Sequence, residues 1–321
     1  MDTKSLTTNE INTSRYPNLP ITFHLLHDTL QKKTKHKLQS LETTLNAIYP
    51  CTIAFHPLSQ KEFENLAPWG ESGPNWTAYF RLKIGDVLDS HIARCVYLDT
   101  DILVLKDIRE LFMMDIGDKA IGASRDINIA GVDIVRDGLV DAQEYCNSGI
   151  LLIDLAKWRT KPFEDIQTFT YMQLPDQDFI NFIFKGEIHI LPCKWNFIWR
   201  HPSRLDFNAK EAYEKNHQIV YPCTYSREEF QDALKNPAIV HLCGGYKPWE
   251  KVNWAKKGKP IFNKHPYDKD WWRVAQRNVF YLQILYPYLK RSLNITLSQY
   301  AKAYIPGLYP FLRKLKHLLK G

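Results

Sequence analysis

The sequence predicts a layered α/β domain with a mostly parallel sheet, on three observations. Apolar runs of strand length alternate with segments of helical spacing from Ile21 to His241, a pattern that packs helices on the faces of a sheet. The run Cys95-Val96-Tyr97-Leu98 is apolar throughout, as a strand covered on both faces must be, and it stops at Asp99-Thr100-Asp101. With 321 residues, 45% apolar and 13% aromatic, the chain can build one large core and a smaller appendage.

Taken in order, residues 1–20 are polar, rich in Thr, Asn and Ser, and expected to be poorly ordered. Ile21 to Leu26 alternates like a strand, and a Lys-rich segment becomes helical by Leu38–Ala47. Cys51–Phe55 reads as a strand and Ser59–Leu66 as a short helix. A loop rich in Gly and Pro follows, and Trp76–Leu88 then has helical spacing, with Tyr79, Leu82 and Ile84. After the strand at 95–98, Ile102–Leu105 leads into a short helix to Phe112, and Ala120–Ala123 continues the alternation. Ile150–Ile153 is the next strand, with a helix through Trp158. Asp176-Gln177-Asp178 opens an apolar helix to Phe184. Ile188–Leu191 and Ala238–His241 are the last strands. No internal repeat is visible.

Charge is unevenly distributed. From Lys251 onward 15 Lys/Arg face only Asp268 and Asp270, a net +13, while the first 250 residues carry 27 Lys/Arg and 33 Asp/Glu, a net −6. A mildly acidic body with a basic tail predicts that a polyanionic partner meets the tail. The six cysteines stand singly, without zinc-ligand spacing, and read as small buried hydrophobes. No signal-peptide pattern and no bilayer-length apolar stretch is present, so a cytoplasmic location is expected.

Two carboxylates one residue apart at the tip of a buried strand need a cation, and α/β folds bind ligands beyond the carboxyl ends of their strands. Asp99 and Asp101 share a face, and their hard oxygens suit Mg²⁺ or Mn²⁺. In an exposed turn, the same pair would be two solvated carboxylates. His241 also ends an apolar strand, and an imidazole beside carboxylates favours Mn²⁺ over Mg²⁺. Gly244 and Gly245 let backbone approach a phosphate, and Lys247 adds a point charge for it.

The segments AYFRLKIGDVL, VYLDTDILVLKDIRELF, YCNSGILLIDLAKWR, LPDQDFIN, LPCKWNF and HLCGGYKPW together resemble glycosyltransferase family 8, which includes bacterial lipopolysaccharide galactosyl- and glucosyltransferases. They keep the family's order over about residues 21–250, and HPYDKDWWRVAQRNVFY is similar to its C-terminal segment. The resemblance implies a GT-A (Rossmann-like) catalytic domain over 21–255 and a basic, aromatic-rich region over 256–321. It implies a UDP-sugar donor, a lipopolysaccharide or oligosaccharide acceptor and bound Mn²⁺, with Mg²⁺ as the alternative. By position, Asp99, Asp101 and His241 match the metal ligands. Arg81 and Asn147 match residues that contact the donor, and Gly244 and Lys247 the diphosphate-binding positions. Asp176 and Gln177 match the pair lining the sugar's reactive face. Retention of anomeric configuration is implied, with same-face attack by the acceptor hydroxyl preferred. A covalent route would need a carboxylate nucleophile, and Asp176 and Asp178 both stay open for it.

One departure is expected to matter. The family's first strand and its uridine-binding turn have no counterpart before Ile21. The sheet would then lack the strand between the one at Ile21 and the one ending at Asp99, and a catalytically impaired glycan- or membrane-binding relic is the alternative reading. A haloacid-dehalogenase-like phosphatase is a distant third, because Leu103 stands where that motif wants Thr or Val. The tail from Leu297 to Leu319 mixes Tyr300, Tyr304, Tyr309 and Phe311 with Lys302, Arg313, Lys314 and Lys316. Pro306 and Pro310 should break it into short helices. It is expected to meet an anionic membrane, placing the protein at the inner face of the cytoplasmic membrane. Nucleic acid is not expected, since these aromatics sit among aliphatics.

Overall fold

The computed structural model describes residues 19–68, 75–127, 132–171, 173–199, 205–209, 213–215, 218–243, 247–250, 253–254, 260–261 and 265–304. Cα packing divides the chain into two units, Met1–Leu242 and Cys243–Gly321. The expectation for residues 1–20 falls almost wholly outside the described residues, as do Gly244 and the tail beyond Tyr304.

In the first unit β1 (Ile21–His27), α1 (Lys32–Asn46) and β2 (Cys51–Pro57) form a β-α-β unit, with β1 and β2 pairing in parallel from Ile21↔Cys51 to His27↔Pro57. Thr77–Lys83 is a 3₁₀ segment that passes into α2 (Ile84–Val87). Next come β3 (Arg94–Leu98), β4 (Ile102–Val104), α3 (Ile108–Phe112), β5 (Ile121–Arg125) and α4 (Asp133–Arg136). β6 (Cys146–Asp154), α5 (Leu155–Trp158), α6 (Pro175–Ile183), β7 (Ile188–Ile190) and β8 (Phe197–Ile198) follow. Three short strands then precede α7 (Arg227–Lys235) and β12 (Ile239–His241): β9 (Leu205–Asp206), β10 (Tyr213–Lys215) and β11 (Gln218–Pro222).

The central sheet has the order β3-β6-β5-β7. It is less parallel than the alternation of elements suggested: β6 runs antiparallel to both β3 and β5, and only β5 and β7 are parallel. Hydrophobic periodicity records which face a strand buries and carries no information on its direction, which is why the sequence could not show this. Eight of the nine β6 residues are buried, and from Ile150 to Ile153 they alternate between two layers. Cys146, Leu151 and Ile153 join Tyr79, Phe80, Trp158, Phe179 and Phe184; Ile150 and Leu152 join Leu111, Ile116, Trp195 and Ile239. Burying each aliphatic side chain of β6 contributes roughly 1.5–3 kcal/mol before entropy is counted. Gly122 on β5 lets Leu191 and Ile116 close over the sheet, since an added Cβ would sit 3.1 Å and 3.2 Å from them.

Among the described residues β1 pairs only with β2, and β3 only with β6. The β3 residues are correspondingly half-buried throughout. All six cysteines are free, four of them buried, and burial pushes the Cys95 thiol up to about 12.

The second unit, described by itself, holds the pair β13 (Asn253–Trp254) and β14 (Pro260–Ile261), then α8 (Asp268–Gln276) and α9 (Tyr281–Tyr304). Its aromatic residues form a chain, with ring centroids 4.9 Å apart for Trp249 and Trp271, 5.1 Å for Trp271 and Trp272, and 4.8 Å for Trp272 and Tyr288. Arg291 donates to the Trp249 and Glu250 carbonyls, tying α9 to the turn at 247–250. No described helix is long and apolar enough to cross a membrane.

Candidate active site

Backbone pairing brings the two acidic residues and the histidine to one corner. β3 ends with Leu98 opposite Ile150, and the next amide, Asp99 N–H, donates to the Gly149 carbonyl at 2.8 Å. β4 begins at Ile102, opposite His241 of β12, and Leu242 N–H donates to the Asp101 carbonyl at 2.8 Å. One ligand atom from each of Asp99, Asp101 and His241 therefore lies within 4.8 Å of the others. His241 Nε2 is 3.3 Å from Asp101 Oδ1 and 3.7 Å from Asp99 Oδ2.

Two hard oxygens and one imidazole nitrogen fit a divalent cation. The space fits as well. A Cβ on Gly149 would lie 2.3 Å from His241 Cε1 and 2.8 Å from Asp99 Oδ2, so the missing side chain leaves the room the ligands occupy.

Arg81, on the 3₁₀ segment, connects this corner to α6. Its Nη2 is 2.9 Å from Asp99 Oδ1 and its Nε 3.1 Å from Asp176 Oδ2. Nη1 donates to the carbonyl and the hydroxyl of Ser148, both at 2.7 Å, and the guanidinium lies over the Tyr97 ring at 4.7 Å. Burial alone would depress the guanidinium, but Asp176, Tyr97, Asp99 and Asp101 outweigh it and hold it above its ordinary value. Burial likewise raises the Asp176 carboxyl, with Arg81 opposing. Tyr97 donates its hydroxyl to Asp99 Oδ1 at 2.7 Å, and its own ionisation is pushed far up by burial.

α6 starts with Pro175, and its first turn carries Asp176, Gln177 and Asp178, all buried. Gln177 Oε1 accepts from Asn147 Nδ2 at 3.0 Å and from Ser148 N–H at 3.1 Å, while its Nε2 donates to Asp126 Oδ2 and to the Tyr145 hydroxyl, each at 3.0 Å. Asp178 is turned away: Oδ1 accepts from the Tyr145 hydroxyl at 2.6 Å and Oδ2 from Leu174 N–H at 2.8 Å. Burial raises the Asp178 carboxyl against those bonds. Of the two carboxylates left open as nucleophiles, Asp178 is thus committed to holding α6, and Asp176 is the one beside Arg81.

The structure brings Arg81, Asp99, Asp101, Asn147, Asp176, Gln177 and His241 into one connected network at one end of the sheet. Lys247 belongs to the second unit, and Gly244 lies outside the described residues. Sequence reasoning missed Tyr97, Asp126, Ser148, Gly149 and Asn196. Ser148, Gly149 and Asn196 lie inside segments that carry the family resemblance, so the position was visible where the role was not. Asp126 sits in a stretch without periodicity, and only its contacts reveal it.

The family model for Glycosyl transferase family 8 matches residues 4–253. General stress protein A of Bacillus subtilis is 30% identical over 246 residues, covering 73% of this chain and 76% of that protein. A lipopolysaccharide 1,2-glucosyltransferase of Escherichia coli is 26% identical over 268 residues, covering 78% of this chain and 70% of its own. The crystal structure of the galactosyltransferase LgtC with donor and acceptor sugar analogs superposes with a TM-score of 0.56 at 25% identity, covering 74% of this chain and 81% of that one.

Proposed function

The chain belongs to glycosyl transferase family 8 and has its GT-A fold, and from that premise we propose that it transfers a hexose, galactose or glucose, from a UDP-sugar to a lipopolysaccharide-type glycan with retention at the anomeric carbon. The observation that carries the proposal is the convergence of Asp99, Asp101 and His241 with Arg81 bridging to Asp176. Asp99, Asp101 and His241 hold Mn²⁺, with Mg²⁺ as the alternative. When bound, the ion neutralises charge on the departing diphosphate. Arg81 and Asn147 orient the donor. Asp176 and Gln177 line the face on which the acceptor hydroxyl attacks, with the Asp176 carboxylate stabilising positive charge at the sugar.

In calorimetry, UDP is expected to bind in the presence of Mn²⁺ and to be lost on chelation with EDTA, and a donor panel is expected to show Mn²⁺-dependent sugar transfer. No UDP binding at millimolar ligand, with Mn²⁺ bound, would favour the catalytically impaired relic.

We place the protein at the inner face of the cytoplasmic membrane. What supports this is α9, where Leu282, Tyr286, Leu289 and Leu293 recur along one helical face and are 73%, 68%, 52% and 59% exposed. The basic charge of the same region suits anionic lipid. Flotation with liposomes is expected to show binding to anionic vesicles and little to neutral ones; equal recovery with both would remove the membrane reading.

A further inference from the structure

The hydrogen bonds behind His241 run in one direction, and their polarity can be worked out from backbone groups alone. Amide oxygen and nitrogen look alike in outline, so each Asn or Gln needs a partner of known character. Gly149 N–H is such a partner. As a backbone donor at 3.0 Å it requires an acceptor, so the Asn147 atom facing it is Oδ1. Asn147 Nδ2 then faces Asp126 Oδ2 at 3.0 Å and Gln177 Oε1 at 3.0 Å. The latter is an oxygen because Ser148 N–H donates to it. Two independent backbone donors thus agree on one orientation.

The next link follows. Asn196 presents an atom 2.9 Å from Asn147 Oδ1, so that atom is Nδ2, a donor. Its other end, Oδ1, lies 3.0 Å from His241 Nδ1. A carbonyl oxygen only accepts, so Nδ1 carries a hydrogen. In the neutral ring, the lone pair is left on Nε2, the nitrogen facing Asp101 and Asp99.

We propose that Asn196 is a positioning residue that fixes the tautomer and rotation of His241, aiming the Nε2 lone pair at the point where the Asp99 and Asp101 oxygens converge. Asn196 does not touch the ligand point; it acts through the ring. The sheet holds it there, because Asn196 immediately precedes β8, and β8 pairs with β12 at His241↔Ile198. Asn196 is buried, and a buried amide left without these partners is costly. Gly149 enters twice: its N–H sets the polarity at one end of the relay, and its missing side chain leaves room for the ring at the other. The role toward an ion rests on the metal reading given above. The ring assignment does not.

The test separates the two. In metal-free protein at alkaline pH, long-range ¹H–¹⁵N correlation on histidine-labelled protein reads the tautomer. The His241 signal is identified by its loss in His241→Gln. The expected result is a hydrogen on Nδ1 and none on Nε2; a hydrogen on Nε2 overturns the proposal. In Asn196→Ala the tautomer is expected to shift toward Nε2–H. Mn²⁺ affinity, read by electron paramagnetic resonance without substrate, is expected to fall by about 10- to 100-fold, the range for loss of an outer-shell partner. A folded Asn196→Ala protein with the wild-type tautomer and affinity overturns the proposal, since mere packing predicts that result. Should the variant not fold, the wild-type tautomer still decides. Wild type with Nδ1–H and no Mn²⁺ binding would refute the metal reading and leave the ring assignment standing.

Discussion

Gly149→Ala is expected to weaken the proposed Mn²⁺ binding by about 100-fold, the upper end of what disturbing a ligand's supporting shell does. The reason is space rather than backbone conformation. Gly149 lies within β6, and the described glycines with positive φ are Gly117, Gly138 and Gly186. An alanine methyl there would overlap His241 Cε1 and crowd Asp99 Oδ2 and Asn147 Oδ1, at 2.3, 2.8 and 3.0 Å. None of the three moves freely. The ring is held by Asn196, Asp99 by Arg81 and Tyr97, and Asn147 by Asp126 and Gln177. Relief therefore comes from displacing one of the candidate ion ligands, with a further overpacking penalty of about 1–3 kcal/mol in stability. Mn²⁺ titration by electron paramagnetic resonance beside a urea melt separates the two effects. Affinity within threefold of wild type would show that the cradle is not as tight as the distances say.

The second large effect is on stability. Arg81→Ala is expected to lower the unfolding free energy by about 3–5 kcal/mol, the penalty for breaking a buried ion pair by removing one partner. It strips the cation from Asp176, which is itself buried, and from Asp99, and it leaves Ser148 without its donor. The deficit should also depend on pH. Burial already raises the Asp176 carboxyl, and Arg81 pulls it back, so the variant's carboxyl rises further. A carboxyl whose folded pKa exceeds its unfolded value contributes stability that is complete below the unfolded value and lost as pH rises through the folded one. Urea unfolding should therefore show a larger deficit for Arg81→Ala near neutrality than in mild acid, where Asp176 is protonated. Arg81→Lys should fall between, keeping the charge without the fork that reaches Asp99, Asp176 and Ser148 together. A deficit below about 1 kcal/mol, or one equal at both pH values, would contradict the buried-pair account.

The convergence of Asp99, Asp101 and His241 was legible in the sequence because each acidic residue or histidine ends or follows an apolar run, and strand ends meet at one edge of a sheet. Asp176 and Gln177 were legible only through the resemblance carried by LPDQDFIN; their packing against β6 shows in the contacts, where Gln177 accepts from Ser148 N–H. What stayed hidden depends on contacts distant in sequence. Asn196 gains meaning only when β8 pairs with β12, and Asn147 only when Gln177 and Asp126 arrive from either side. The antiparallel course of β6 was hidden because period-two burial is the same in both directions. β9, β10 and β11, of two, three and five residues, are too short for periodicity to show at all.

The cluster at 99–101 and 241 also matters for the chain as a polymer. It joins two points about 140 residues apart, and an unfolded chain would have to close that loop to present the same ligands, at an entropic cost that grows with loop length. An ion seated there binds the folded state far better than the unfolded one, so it acts as a clasp on the topology of the first unit. With the proposed ion bound, the stability of that unit would become a function of ion concentration, rising as RT ln(1 + [ion]/Kd). A melting temperature measured for this protein would then have meaning only alongside the free divalent cation in the buffer.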